Sequence, residues 1–299
     1  MTKQEYLSEL TRARIDEYYK NKMDFFINPS TARIDPFRIA DGLYYVGDKK
    51  VCAHLIDTGD GLILIDSGFL GATHLLVDSI WRLGFDPRDI RLIIHTHGHN
   101  DHYGASDEFK IMYGSKLAIS RVDAEMVRAK SKNGSIGGKY YPLAKAPEFD
   151  IEIEDGEVIE IGRVKIRCVL SPGHTQGVLS LFFDVTDEGK TYKVGLFGGV
   201  GMNTLGLAVI LTYGYPMDMP ERMLSTIEML RSEQVDIHLG NHPGDNRVLD
   251  KREAQLREGG NPFIEKESWG RLLDTLEVRV KSVIEKNEKL REELAALPD

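Results

Sequence analysis

The sequence predicts an α/β chain in which two β-sheets face each other and helices cover their outer faces. Three observations predict it. In each half of the chain a series of short apolar strands precedes the helical segments, an order that suits sheet-on-sheet packing with helices outside. Turn groups such as Gly59-Asp60-Gly61 cut the apolar runs to strand length. Histidine-bearing polar segments follow directly on apolar strands, where loops from two sheets can converge on one site.

The elements follow in order. Within residues 1–30, positions 3 to 26 read as an amphipathic helix, with Leu7, Leu10, Ile15, Tyr18 and Met23 recurring at roughly helical spacing. Residues 31–268 read as the catalytic domain, opening on the strand meander IADGLYYVGDKKVCAHLIDTGDGLILIDSG. ATHLLVDSIWRLG then changes to helical period through Leu75, Leu76, Ile80 and Leu83, and the strand RLIIHT leads into HTHGHNDHYGA, residues 95–105. The stretch 129–150, rich in Gly, Lys and Pro, reads as a long functional loop. The second half has strands around 158–170 and 179–185, the strand KVGLFGG, a helix at 219–232 and the strand VDIHLGN.

Residues 269–299 read as a separate amphipathic helix. Trp269, Leu273, Leu276, Val280, Val283, Asn287, Leu290 and Leu294 alternate steps of four and three, a heptad seam. Such a seam either forms a homodimeric coiled coil, with Asn287 setting the register, or lies on its own domain.

The formal net charge of −9 excludes a nucleic-acid partner, which would require a basic face. The polar N-terminus has no signal-peptide pattern, and no apolar run approaches the roughly 18 residues of a membrane span. A cytoplasmic enzyme acting on a small molecule is therefore expected. Cys52 and Cys168 imply no disulfide framework.

Four of the nine histidines lie in residues 95–105. His97 and His99, two apart after a strand, can point to the same side and hold one metal ion. Asp101 and His102, where the chain turns into a helix, can offer a carboxylate and an imidazole to a second. His174 in SPGHTQG and His242 in GNHPGDN both follow strands and can reach the same place. Nitrogen and oxygen donors without thiolate suit zinc first, with iron, manganese or cobalt as alternatives.

These motifs, with LILIDSG before them, occur in the order and approximate spacing of the metallo-β-lactamase superfamily, which the chain resembles over roughly residues 35 to 275. The resemblance implies an αββα sandwich of two mixed sheets with two Zn2+ at their edge. It assigns His97, His99 and His174 to the first metal and Asp101, His102 and His242 to the second. Asp66 matches a buried aspartate that supports the ligands from behind. In GLFGGVGMN the chain has Gly199, Val200 and Gly201 where most hydrolases of the superfamily carry a bridging aspartate. That departure resembles the third, cysteine-free subclass of metallo-β-lactamases. Glyoxalase II, lactonases, persulfide dioxygenases and flavodiiron proteins fit less well, because each expects the bridging acid.

The expected chemistry is hydrolysis of an amide or ester, β-lactam-like or lactone-like, by metal-bound hydroxide without a covalent intermediate. Asp101 is expected to orient the nucleophile and pass a proton to the leaving group. A non-haem iron oxidoreductase on the same scaffold is the alternative. Asn203 reads either as an oxyanion donor or as a loop amide, and Tyr213 either as a pocket wall or as core. His95 is expected to support the ligands from behind, His54 to lie beneath the site, and His238 and His74 to be structural.

Overall fold

The computed structural model describes residues 1–13, 17, 28–133 and 146–298. Among the described residues, twelve strands form two sheets. The first holds β1 (Phe37–Ala40), β2 (Leu43–Tyr45), β3 (His54–Asp57), β4 (Leu62–Ile65), β5 (Ile90–Ile94), β6 (Lys116–Ser120) and β7 (Ile151–Ile153), in that spatial order. The second holds β8 (Val158–Ile161), β9 (Val164–Leu170), β10 (Leu179–Asp187), β11 (Lys190–Leu196) and β12 (Ile237–Leu239), ordered β12-β11-β10-β9-β8. Both sheets are mixed: β1–β4 is an antiparallel meander continued by parallel β5, β6 and β7, and β12 runs parallel to β11 at the edge of an antiparallel set.

Residues 3–13 are helical (α1). The other helices are α2 (Thr73–Arg82), α3 (Asn100–Tyr103), α4 (Ser106–Tyr113), α5 (Arg121–Asn133), α6 (Leu207–Tyr213), α7 (Met219–Leu230), α8 (Val248–Glu258) and α9 (Glu267–Ala295).

The four-residue run LILI of β4 explains the layering. All four residues are buried, because a strand covered on both faces has no polar side. Ile63 and Ile65 point into the layer between the sheets with Ile94, Cys168, Leu181 and Leu239. Leu62 and Leu64 point the other way, against Leu76 and Ile80 of α2 and Phe109 of α4. On the outside of the second sheet, Phe182 meets α7 through Met223 and Ile227 and α9 through Trp269 and Leu273. Each such side chain stabilises the fold by about 1.5–3 kcal/mol through removal from water. The result is the αββα sandwich.

Three expectations need adjustment. Residues 129–133, read as the start of a loop, close α5 instead; 134–145 lie outside the described residues, as do 14–16 and 18–26 of the N-terminal helix. The heptad seam is buried within its own chain: Trp269, Leu273, Leu276 and Val280 are at most 3% exposed against α7 and the second sheet. Asn287 does not wait for a partner helix, since its amide accepts from Leu207 N–H at 2.7 Å and donates to the Leu205 carbonyl at 2.8 Å. Any second chain would have to use another face of α9. No helix among the described residues is long and apolar enough to cross a membrane.

Candidate metal centre

Loops from the carboxyl ends of β4, β5, β9, β11 and β12 meet at one edge of the sandwich. Backbone bonds sew the two sheets together there: Leu179 N–H donates to the Thr96 carbonyl and Cys52 N–H to the Asn241 carbonyl, both at 2.8 Å. The six predicted ligands fall into two trios, His97–His99–His174 and Asp101–His102–His242, and within each trio one donor atom per residue lies within 4.8 Å of the others. The trios adjoin, with the rings of His97 and His102 4.1 Å apart between centroids.

Four of these imidazoles are fixed through Nδ1. His97 donates to the Gly198 carbonyl at 2.7 Å, His174 to Gly201 at 2.9 Å, His242 to Lys50 at 2.9 Å, and His102 to the Asp66 carboxylate at 2.8 Å. That fixes the tautomer and leaves Nε2 as the free acceptor, the arrangement that metal-binding histidines adopt. Nε2 of His97 and of His102 are buried without a hydrogen-bond partner. Buried polar atoms left unpaired are costly, and a divalent cation would satisfy both. Burial pushes His97 well below the ordinary imidazole value and holds His174 down at about 4, so both are neutral as ligands must be. The residues fit a pair of metal ions.

Asp66, following β4, is 1% exposed and has φ 58°, a left-handed conformation rare outside glycine. This turns its carboxylate under the site, where it accepts from Thr96 N–H, Thr96 Oγ1 and His102 Nδ1, each at 2.8 Å. Asn241 donates to Thr96 Oγ1 at 2.9 Å, tying the His242 loop to the same centre. His95 is fully buried; its Nδ1 donates to the Ala118 carbonyl and its Nε2 accepts from Ser106 Oγ. Ser106 meets Ser67, whose hydroxyl donates to the His102 carbonyl, so His95 supports His102 through two serines rather than by touching it. His54 donates from Nε2 to the Gly240 carbonyl at 3.0 Å, beneath the His242 loop. His238 packs against Trp269 and Ser268, and His74 contacts Ser30 on the surface.

The glycine stretch that replaces a bridging acid is an active part of the site. A Cβ on Gly198 would lie 1.9 Å from the Leu179 carbonyl oxygen, and one on Gly201 would lie 2.7 Å from His174 Cε1. Gly198 is crowded by the Leu179 carbonyl of the neighbouring strand and Gly201 by the His174 ring, so neither position has room for a side chain. Gly201→Ala is expected to cost about 1–3 kcal/mol through this clash, read as a lower urea midpoint; an unchanged midpoint would mean that the strip shifts freely.

A sequence profile of the Metallo-beta-lactamase superfamily matches residues 47–186. BJP-1, a subclass B3 metallo-beta-lactamase of Bradyrhizobium japonicum, superposes with a TM-score of 0.78 at 28% identity, covering 87% of this chain and 97% of that one. Native FEZ-1 metallo-beta-lactamase from Legionella gormanii gives 0.77 at 28%, covering 86% and 98%. The chain has the metallo-beta-lactamase fold. Among curated relatives, a hydroxyacylglutathione hydrolase of Rhodopseudomonas palustris is 29% identical over 185 residues, 58% of this chain and 62% of that protein's length.

The two candidate substrate contacts lie as follows. Asn203 is exposed, its side-chain oxygen near Gly201. The hollow beside His174 is lined by Tyr215 with Met126, Thr175, Gln176 and Met219, and the Tyr213 ring lies 6.1 Å from that of Tyr215. Sequence reasoning also missed Asp123, at the start of α5. Its signal was Ser120-Arg121-Val122-Asp123, a capping-box pattern that marks a helix start.

Proposed function

We propose that the chain is a metal-dependent hydrolase holding two divalent ions, zinc first, and opening an amide or ester bond in a small cyclic or activated acyl substrate. The observation that carries the reading is the pair of ligand trios whose imidazoles are locked through Nδ1 with Nε2 turned inward. His97, His99 and His174 would hold one ion, and Asp101, His102 and His242 the other. Two ions so held supply an activated water at neutral pH and polarise a carbonyl.

The chain's own groups do the rest. Asp101 Oδ2 lies 3.7 Å from Nε2 of both His102 and His242, and it is positioned to orient the attacking water and hand a proton to the leaving nitrogen or oxygen. Neither cysteine offers a nucleophile: both are buried, and burial pushes the Cys168 thiol to about 12 and that of Cys52 well above its usual value. The reading is direct hydrolysis, in which water rather than a cysteine thiol attacks the acyl carbon.

The test is turnover by zinc-replete protein of a chromogenic cephalosporin, a lactone series and an acylglutathione, the last two because relatives differ in substrate. Hydrolysis of any of these with two zincs per chain is the expected result. Iron in the purified protein together with oxygen uptake would replace this reading with the oxidoreductase one.

A further inference from the structure

We propose that Asp123 is the positioning residue of the first metal trio, acting on its ligands through the residues beside them, while Asp66 chiefly serves the second trio. The inference rests on the reading of His97, His99 and His174 as metal ligands. Asp123 is fully buried at the first turn of α5. Its Oδ2 accepts from Gly98 N–H at 2.7 Å, the amide between His97 and His99. The same oxygen accepts from Thr175 Oγ1 at 2.6 Å, and Oδ1 accepts from Gly177 N–H at 2.9 Å; these donors follow directly on His174. One carboxylate thus fastens the loop after β5 to the loop after β9. Ser120 seals the same joint from the neighbouring turn, its hydroxyl donating to the Gly177 carbonyl at 2.5 Å.

The packing around the carboxylate leaves no slack. A Cβ on Gly177 would lie 2.4 Å from Ser120 Oγ and 2.6 Å from Asp123 Oδ1, and one on Gly98 would lie 2.7 Å from Met126 Cε. The glycines of HGH and HTQG are therefore where α5 seats its first turn against both loops. On the other side of the centre, His102 is backed by Asp66 and the His242 amide by Asp245. Asp66 touches His102 directly and reaches the first trio only through Thr96, beside His97, whereas Asp123 holds the Gly98 and His174 loops.

The experiment reads metal, not turnover. Zinc per chain is measured after dialysis against a chelator, and zinc affinity by competition with a chromophoric chelator. The proteins compared are wild type, Asp123→Asn, Asp66→Asn, the double variant and Thr175→Val, each checked for its fold by circular dichroism. Asp123→Asn leaves only one oxygen for donors on both sides, so an amide N–H must face at least one of Gly98, Thr175 and Gly177, and a 10- to 100-fold loss of affinity at one site is expected, the size usual for groups behind a ligand. Asp66→Asn should lose the other zinc, and the double variant both. Thr175→Val, which deletes one donor and keeps the carboxylate, should weaken the same site by less and carries the test if Asp123→Asn does not fold. Two zincs held by Asp123→Asn with wild-type affinity overturn the proposal alone, as does a double variant that loses no more than Asp66→Asn. A wild-type chain that binds no zinc overturns the metal centre and this proposal with it.

Discussion

His97→Ala is expected to lower kcat/KM by about a thousand-fold or more, more than any other single ligand. His97 lies at the junction of the two trios, its ring 4.1 Å from that of His102 and 4.8 Å from those of His99 and His174. Removing it deletes a ligand of the first trio and opens a cavity against the second. Metal polarisation is worth several kcal/mol to a hydrolytic transition state, and each 1.36 kcal/mol is tenfold in rate, so a loss of about 4 kcal/mol gives about three decades. Zinc content measured on the same samples separates a lost ion from a misplaced one. His242→Ala is the comparison, since His242 is the most exposed of the second trio, its side chain 38% accessible; its loss should leave the first ion in place. A His97→Ala protein retaining a tenth of wild-type turnover would end the reading of His97 as a central ligand.

How much of this was legible in the sequence follows from the range of the interactions. The cluster His97, His99, Asp101 and His102 is local, and a strand followed by a turn brings its side chains together. The apolar strands were equally legible, because a strand buried on both faces is apolar at every position, as LILI is. The partners of Asp123 lie 25, 52 and 54 residues away, so nothing in its neighbourhood announces its targets. The seam of α9 was visible as a seam, but the spacing of Trp269, Leu273, Leu276 and Val280 is the same whether a second chain or the second sheet covers it. The end of α5 was missed because Ala129, Lys130, Ser131, Lys132 and Asn133 carry no apolar period. Gly198 and Gly201 registered as a missing carboxylate, since a carbonyl aimed at a histidine leaves no mark in composition.

Asp66→Ala is expected to destabilise the protein by about 3–5 kcal/mol, the usual cost of removing one partner from a buried charged network. Burial by itself would raise the Asp66 carboxyl, but His102 and the Thr96 donors outweigh it and hold the group below the ordinary carboxylate range. It is ionised wherever the protein works, and its contribution is present above that range and lost as the pH falls through the lowered folded value. Alanine would leave the Thr96 amide, the Thr96 hydroxyl and His102 Nδ1 without their common acceptor in a dry interior. It would also keep a Cβ at φ 58°, where asparagine and aspartate are better tolerated. Asp66→Asn therefore isolates the charge, and the gap between the two variants in urea midpoint measures the lost acceptors and the backbone together. Both are measured with zinc and with excess chelator. If the cost of Asp66→Ala disappears in chelator, the carboxylate acts only through the second ion; if it persists, the Asp66–Thr96–His102 network holds the two sheets together in its own right, which is the outcome that its buried position predicts.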